Sequence, residues 1–263
     1  MIKSLLMRKA ILLLDLGNTH LNWGLCDSAS LQIFDTGKVA DQAWSDLISA
    51  TGQLANIQVS IEEIWLCSVA KSTIKESLLS WVTLVDRPIY QARTGQRFNK
   101  LVNSYDNYAQ LGIDRWLGLV ALTTDYGYPA LLIDAGSAMT LDYVDAGAVY
   151  QGGWIVPGIG KSRQCLSQQT SLLVPDSPLP NSLCIAKNTT AGITAGLLAA
   201  AVGTIAQFER QIDKQTEVCK VITGGEGPLL LKYLNSDWQY DPHLVLKGLA
   251  LYAQANKLVS RNN

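Results

Sequence analysis

Short apolar runs alternate along the chain with longer segments in which apolar residues recur every three or four positions. The runs in "EEIWLCSV" (62–69) and "CKVITGG" (219–225) have the length of buried strands. The helical period appears in "KSTIKESLLSWVTL" (71–84), "GIDRWLGLVALTTDY" (112–126) and "AGITAGLLAAAVGTIAQFERQI" (191–212). Because strand and helix patterns alternate, the chain is predicted to adopt an α/β fold.

One strand pattern occurs twice. The segment "ILLLDLGNTHLNWGL" (11–25) returns as "ALLIDAGSAMTLDYV" (130–144), and each copy predicts a β-hairpin: an apolar run, an Asp-x-Gly turn and a second, alternating run. The same offset of 119 positions separates Asp15 from Asp134 and Gly17 from Gly136. A repeat of this length is a domain rather than a solenoid unit. We therefore predict two similar domains, 1–127 and 128–263, with a cleft between them.

Composition and charge narrow the class of partner. The 263 residues are 48% hydrophobic, which is enough apolar surface for real cores. A net charge of -1 without a long basic run argues against nucleic acid and against an anionic membrane, so a small molecule is the expected partner. Five scattered cysteines and two histidines do not suggest a zinc site or a disulfide framework, and the absence of a signal-peptide pattern predicts a cytoplasmic protein.

The first hairpin turn carries groups that suit a phosphate. Gly17 lets the backbone turn tightly, and the N–H groups that follow, with the side chains of Asn18 and Thr19, can bind phosphate oxygens. The Asp15 carboxylate would repel that phosphate unless a cation lay between them, which implies Mg²⁺. An Asx turn that merely closes the hairpin is the alternative. The second copy, "DAGSAMTLD", favours nucleotide binding by both turns.

Other glycine-rich segments are less specific. "VITGG" (221–225) ends a strand in a turn where bare backbone can lie against a base or a ribose, or where a helix simply opens at Glu226. "GIGKS" (158–162) resembles the end of a P-loop, but Ile155 stands where that motif requires glycine and Pro157 lies inside the loop. The chain also lacks a G-x-G-x-x-G after a strand, so neither familiar phosphate-binding motif is present.

A further polar cluster, "NSYDNYAQLGIDRW" (103–116), places Asp114 and Arg115 at a predicted helix start. Phosphoryl transfer requires a carboxylate that receives the proton of the acceptor hydroxyl, and an acidic acceptor requires a cation. Asp114 and Arg115 can fill these roles, or form an ordinary surface ion pair. The Ala- and Gly-rich helix after residue 191 is predicted to pack closely against another helix, and the Pro-rich segment 172–182 is predicted to be a loop.

Seven motifs in order make the chain resemble the type III pantothenate kinases, members of the acetate and sugar kinase and actin-like ATPase superfamily. The motifs are "DLGNT" at Asp15, "GIDRW" at Gly112, "DAGSAMTLD" at Asp134, "GGWIVPG" at Gly152, "NTTAGITAG" at Asn188, "TGG" at Thr223 and a closing "LVLKGLALY". The resemblance covers nearly the whole chain. It implies a duplicated ribonuclease H-like fold of the actin-like ATPase type, with ATP in the cleft between the halves.

The resemblance also implies a reaction. ATP transfers its γ-phosphate to the primary hydroxyl of pantothenate, giving 4'-phosphopantothenate in the first step of coenzyme A biosynthesis. It implies a homodimer to which the Thr189 region contributes across the interface, with Mg²⁺ accompanying ATP and a monovalent cation, K⁺ or NH₄⁺, held by Asp134. A kinase of another small acid or sugar on the same fold is an alternative, as is a catalytically inactive regulatory relative.

Roles for individual residues follow from the same resemblance. Asp114 is the expected catalytic base. The residues expected to contact pantothenate are Tyr105, Gly112, Ile113, Asp114, Arg115 and Thr189. The residues expected to contact ATP are Asp15, Leu16, Gly17, Asn18, Thr19, His20, Leu21, Asn22 and Ser137. The family usually has Thr where this chain has Ser137, and serine keeps the hydroxyl group.

Overall fold

A computed structural model describes residues 8–40, 59–70, 72–82, 87–169, 183, 185–212 and 217–261. The strands in these ranges are β1 (Arg8–Leu16), β2 (His20–Asp27), β3 (Ile33–Ala40), β4 (Val59–Ser68), β5 (Ile89–Gln91), β6 (Arg97–Phe98), β7 (Leu101–Asn103), β8 (Ala130–Ala135), β9 (Ala138–Val144), β10 (Val149–Pro157), β11 (Cys219–Thr223) and β12 (Trp238–Tyr240). The α-helices are α1 (Ser72–Val82), α2 (Ile113–Ala121), α3 (Ile159–Gln169), α4 (Thr189–Glu209), α5 (Gly227–Leu230) and α6 (Leu244–Arg261). Single helical turns cover Tyr108–Gln110, Leu122–Tyr126 and Leu231–Tyr233.

The chain forms two compact units. Unit 1 comprises the described residues up to Phe98 together with Tyr105–Ala121 and the segment from His243 onward, and unit 2 comprises Asn99–Ser104 and Leu122–Pro242. This grouping differs from the predicted division after residue 127, chiefly because the C-terminal helix α6 belongs with the N-terminal part of the chain. The physical reason is a close helix contact within unit 1: a Cβ at Gly248 on α6 would overlap the backbone of Leu117 on α2.

The sheet of unit 1 has the strand order β3-β2-β1-β4-β5. The hairpin predicted at residues 11–25 is confirmed, since β1 and β2 pair antiparallel. On its other side β1 pairs in parallel with β4. The central strand β1 is buried on both faces from Ala10 to Leu14, which explains its uninterrupted apolar sequence.

The sheet of unit 2 repeats this order as β10-β9-β8-β11-β12, with β7 added beside β10. The second predicted hairpin is confirmed, since β8 pairs antiparallel with β9. Its central strand β8 pairs in parallel with β11. Both units therefore build one topology from corresponding segments, and the predicted duplicated α/β fold is confirmed.

The core of unit 2 lies between one sheet face and helix α4. Leu131, Ile133 and Leu141 point to this face, and Leu198 and Ile205 of α4 join the same buried cluster. These sheet residues occupy alternate positions, as the period of a strand requires. Because β8 and β11 pair in parallel, their carboxyl ends, with the glycine turns that follow, lie at the same edge of the sheet.

Helix α4 is strongly apolar, yet most of it is not buried. It has 21 residues and is long and apolar enough to span a membrane, with a mean hydropathy of 1.6, yet only 28% of its apolar window is buried. The predicted helix is confirmed, although it begins at Thr189. The predicted loop at 172–182 lies outside the described residues.

Candidate active site

In the turn between β1 and β2 the Gly17 N–H donates a backbone hydrogen bond to the His20 carbonyl oxygen at 3.0 Å. Asp15 and Asn22 face each other across the hairpin, and Asn22 Nδ2 donates to Asp15 Oδ2 at 3.1 Å. The side chains of Leu16 and Leu21 are buried in the core. Their predicted contact with ATP would therefore use backbone atoms.

The surroundings of the Asp15 carboxyl disfavour its charged form. Burial raises its pKa from the usual value to about 6, the hydrogen bond from Asn22 opposes this shift, and the negative charge of Asp114 adds to it. The Cys67 thiol lies beside Asp15 on the parallel strand, and burial also raises its pKa. A carboxylate whose charged form bears this cost is a suitable ligand for a divalent cation, which prefers hard oxygen ligands.

The start of helix α2 holds the predicted acceptor residues. Asp114 lies in the first turn, where the helix dipole favours a negative charge, and its Oδ1 accepts the Arg115 backbone N–H at 2.8 Å. Gly112 leaves room for this carboxylate, since a Cβ there would stand 2.7 Å from Asp114 Oδ1. The side chain of Ile113 is buried.

The Arg115 guanidinium is held in place within unit 1. The residue is only 7% exposed, and its Nη1 donates to the Tyr105 hydroxyl oxygen at 3.3 Å. A buried guanidinium that a tyrosine already holds in place loses little further conformational freedom when it binds a carboxylate. This favours a bidentate pair. Unit 1 thus brings together the Asp15 hairpin, Asp114 and the Tyr105–Arg115 pair.

In unit 2 the turn between β8 and β9 is closed by the Gly136 N–H, which donates to the Ala138 carbonyl oxygen at 3.0 Å. The neighbouring Ser137 carbonyl oxygen accepts the Gly158 N–H at 3.0 Å. This second contact connects the predicted ATP-binding turn to the start of helix α3.

The third glycine turn lies directly beside Asp134. Gly224 has φ +85, and a Cβ there would stand 2.6 Å from Asp134 Oδ1 and 2.5 Å from the Ala135 carbonyl oxygen. A bare glycine is therefore required at this position. A carboxylate and a carbonyl oxygen gathered over it form the kind of donor set that fits a weakly hydrated cation.

Two residues near these turns were missed by the sequence analysis. Gly158 approaches the β8–β9 turn so closely that a Cβ would overlap the Gly136 carbonyl oxygen. The Glu226 carboxylate accepts the backbone N–H groups of Ile159, at 2.9 Å, and of Gly160, at 2.7 Å. The only sequence signal for this contact was that Gly158, directly ahead of helix α3, has no side chain that could cap the helix.

Thr189 is the first residue of α4 and is exposed. The preceding residue, Asn188, caps the helix by accepting the Ala191 N–H at 2.9 Å. The structure thus fixes where the Thr189 side chain stands relative to unit 2, while its predicted contact with pantothenate stays a prediction.

Comparisons with known proteins agree on one family. A family model described as "Type III pantothenate kinase" matches residues 11–211. A protein of Azoarcus sp. (strain BH72) named "Type III pantothenate kinase" is 30% identical over 250 residues, which cover 94% of this chain and 91% of that protein.

Solved structures share the fold at low sequence identity. A "conserved putative Baf family transcriptional activator" from Campylobacter jejuni superposes with a TM-score of 0.58 at 20% identity, covering 94% of this chain and 98% of that one. MreB5 of Spiroplasma citri, solved bound to ADP, gives a TM-score of 0.51 at 8% identity, covering 97% and 99%. The fold is therefore that of the actin-like ATPases.

Proposed function

The chain belongs to the type III pantothenate kinase family, and from this premise we propose that it transfers the γ-phosphate of ATP to the primary hydroxyl of pantothenate with Asp114 as the base. The reaction is a phosphotransfer in coenzyme A biosynthesis. The observation that carries the residue assignment is the grouping, within unit 1, of two interacting carboxylates with a fixed, buried guanidinium.

Asp114 acts on the acceptor. The substrate oxygen attacks the γ-phosphorus in line, its O–H bond breaks, and the proton passes to the Asp114 carboxylate as ADP leaves. The Asp15 turn orients the ATP phosphates by its backbone N–H groups and by the side chains of Asn18 and Thr19. Asp15 would hold the Mg²⁺ that accompanies ATP, directly or through a water molecule, and the ion would offset part of the phosphate charge.

Arg115 and Tyr105 bind the acidic end of the acceptor. A carboxylate placed against the guanidinium gains charge-assisted hydrogen bonds that an uncharged sugar would not. This distinguishes pantothenate from a sugar as the acceptor on the same fold.

Replacement of this guanidinium tests the placement of the acceptor. Arg115→Met removes the charged hydrogen bonds, a loss of about 1.5 to 3 kcal/mol, and should raise the KM for pantothenate roughly 10- to 100-fold. The KM for ATP should stay within about twofold, which is small on the same scale. Arg87→Met, at an exposed arginine of unit 1 whose Nε donates to the Ile61 carbonyl oxygen, is the matched control. A change confined to the ATP constant would contradict this placement.

We also propose that Asp134 binds a monovalent cation, K⁺ or NH₄⁺. The carboxylate and carbonyl oxygens over Gly224 provide anionic and uncharged hard ligands, and a nucleotide phosphate received by this turn would leave an excess of negative charge beside Asp134. The cation would reduce this imbalance when bound.

One assay tests the reaction and its cofactors. Purified protein is given ATP, MgCl₂ and pantothenate, and ADP formation is measured in KCl and in choline chloride at equal ionic strength, so that general screening is constant. We expect turnover that depends on pantothenate, Mg²⁺ and K⁺. Turnover with a sugar but not with pantothenate would overturn the acceptor, no turnover would favour a regulatory relative, and equal rates in both salts would remove the monovalent cation.

The uncovered surface of α4 fits a second copy of the chain, and we propose a homodimer. An exposed stripe of small residues runs along the helix and consists of Gly192, Gly196, Ala199 and Gly203. Nothing lies within 4 Å of a Cβ added at Gly196 or Gly203. Small residues let two helices approach closely. A partner would cover apolar surface that the monomer leaves in water, and would bring its own Thr189 region to the interface.

A bulky charge on this stripe should separate the copies without disturbing the monomer. Gly196→Arg adds its side chain into open space, so we expect light scattering to report a dimeric mass for the unmodified protein and a monomeric mass for the variant. Gln254→Arg, an exposed position on α6, is the matched control. A monomeric unmodified protein would contradict the dimer, and binding of α4 to lipid vesicles would assign the apolar surface to a membrane instead.

A further inference from the structure

Helix α3 has no capping side chain of its own. Its first hydrogen bond runs from the Ser162 N–H to the Gly158 carbonyl oxygen, so Gly158 occupies the N-cap position. Serine, threonine, asparagine and aspartate are the usual residues there because their side chains accept the free N–H groups of the first turn. Each of them carries a Cβ, and a Cβ at Gly158 would overlap the Gly136 carbonyl oxygen. Close packing against the β8–β9 turn therefore excludes a local cap.

Glu226 supplies the missing cap from another part of unit 2. Its two carboxylate oxygens accept the N–H groups of Ile159 and Gly160 at 2.9 and 2.7 Å, which satisfies two free donors of α3. Glu226 itself stands at the N-cap position of α5 but makes no side-chain capping bond there. The carboxylate serves a helix 67 positions away instead of the one it precedes.

The backbone of Glu226 is also hydrogen-bonded to the β8–β9 turn. Its N–H donates to the Ala135 carbonyl oxygen at 2.9 Å, while the Gly158 N–H donates to the Ser137 carbonyl oxygen at 3.0 Å. The hydrogen bonds form a ring that passes from Ala135 to Glu226, through the carboxylate to the start of α3, and back to Ser137. Gly136 completes this ring along the chain, because its two neighbours, Ala135 and Ser137, each accept one of these hydrogen bonds.

We propose that Glu226 is a positioning residue for nucleotide binding: by capping α3 across the fold, it fixes the conformation of the Asp134–Ser137 turn that receives ATP. This inference rests on the proposed function, because the turn is assigned to ATP there. The Glu226 carboxylate also occupies the positive end of the α3 dipole, so this helix start is not a competing phosphate site. Loss of the carboxylate loosens the turn, and ATP must then order it on binding.

Two variants separate positioning from simple loss of folding. Glu226→Ala removes both acceptors. Glu226→Gln keeps the shape but offers one oxygen, and its amide faces the second N–H donor. Binding of the β,γ-imido analogue of ATP with Mg²⁺ is measured by calorimetry. We expect affinity about tenfold weaker for Glu226→Ala and a smaller loss for Glu226→Gln, the usual range for coupled sites being roughly 5- to 150-fold.

The kinetic constants provide a readout that a general structural role would not produce. In the pantothenate assay the KM for ATP should rise in the order unmodified, Glu226→Gln, Glu226→Ala, whereas kcat and the KM for pantothenate should change less than about twofold, a small difference on the free-energy scale. Glu209→Gln is the control, because Glu209 is a partly buried glutamate of unit 2 that pairs with Lys220 outside the ring. Equal effects on all three constants would overturn the proposal.

Hydrogen exchange checks the contact directly. In Glu226→Ala the amides of Gly158, Ile159 and Gly160 should exchange faster than in the unmodified protein. Faster exchange with unchanged affinity for the ATP analogue would make Glu226 a helix cap only, which overturns the proposal. Failure of the unmodified protein to phosphorylate pantothenate while it binds the analogue would refute the proposed acceptor, and the affinity ratio of the variants would still decide the role of Glu226.

Discussion

Asp114→Asn should lower kcat by about 100-fold or more, the usual scale for loss of a general base, while ATP and pantothenate still bind. The amide is the same size as the carboxylate, and its oxygen can keep the 2.8 Å hydrogen bond from the Arg115 N–H. What it cannot do is accept the proton of the attacking hydroxyl. Under the proposed mechanism the change should therefore remove the chemical step and leave the start of α2 intact.

This prediction has a second, independent consequence in unit 1. The negative charge of Asp114 helps raise the pKa of Asp15, so its removal should lower that pKa. Mg²⁺-dependent binding of ATP at mildly acidic pH should then be equal to or stronger than in the unmodified protein. Steady-state rates and calorimetric titrations check the two effects, with Asp106→Asn as a control at an exposed position. Unchanged turnover would remove Asp114 from the mechanism.

The hairpins and their polar turns could be predicted because their signals are local. An apolar run, an Asp-x-Gly turn and an alternating run lie within fifteen residues at each copy, and the structure has β1–β2 and β8–β9 there. The helix starting at "GIDRW" is equally local, since Asp114 in its first turn suits the helix dipole. The duplicated strand order then follows from the repeat.

The grouping of elements and the ring around Gly136 depend on contacts between distant segments. The fit of Gly248 on α6 against the backbone of Leu117 joins the two ends of unit 1, and no periodicity along either helix specifies it. Glu226 reads as an ordinary residue after a Gly-Gly turn. Its role appears only once the overlap at Gly158 shows that α3 cannot be capped locally.

Asp15→Asn should make the protein more stable at neutral pH and nearly abolish its activity. The folded-state pKa of Asp15, about 6, lies above the usual value for aspartate. The folded protein therefore holds the Asp15 proton over a pH range in which the unfolded chain has lost it, and stability falls as pH rises from about 4 to about 6. Above that window the charged, partly buried carboxylate costs about 1 to 3 kcal/mol, and asparagine does not bear this cost.

Thermal unfolding without nucleotide measures this effect. At pH 8 the melting temperature of Asp15→Asn should exceed that of the unmodified protein by several degrees, at roughly 2 to 4 °C per kcal/mol for a chain of this size. The difference should shrink as the pH falls and vanish below about pH 3, where the carboxyl is protonated in both states. Asp27→Asn is a control of opposite sign, because hydrogen bonds from the Ser30 N–H and from Arg8 lower the Asp27 pKa to about 2. The stability that the Asp27 carboxylate contributes is present above about pH 4 and is lost as the pH falls toward 2.

Catalysis should respond in the opposite direction. Without a carboxylate at position 15 the Mg²⁺ that accompanies ATP loses an anionic ligand, so kcat/KM for ATP should fall about 100-fold or more, comparable to other losses of charged contacts in a transition state. In the unmodified protein the same quantity should fall as the pH drops below about 6, because protonation of Asp15 has the effect of the substitution. Under the proposed function, the carboxylate that weakens the fold is also the one that would bind the metal. Equal melting temperatures at pH 8 would contradict the raised pKa, and full activity of Asp15→Asn would remove Asp15 from the ATP site.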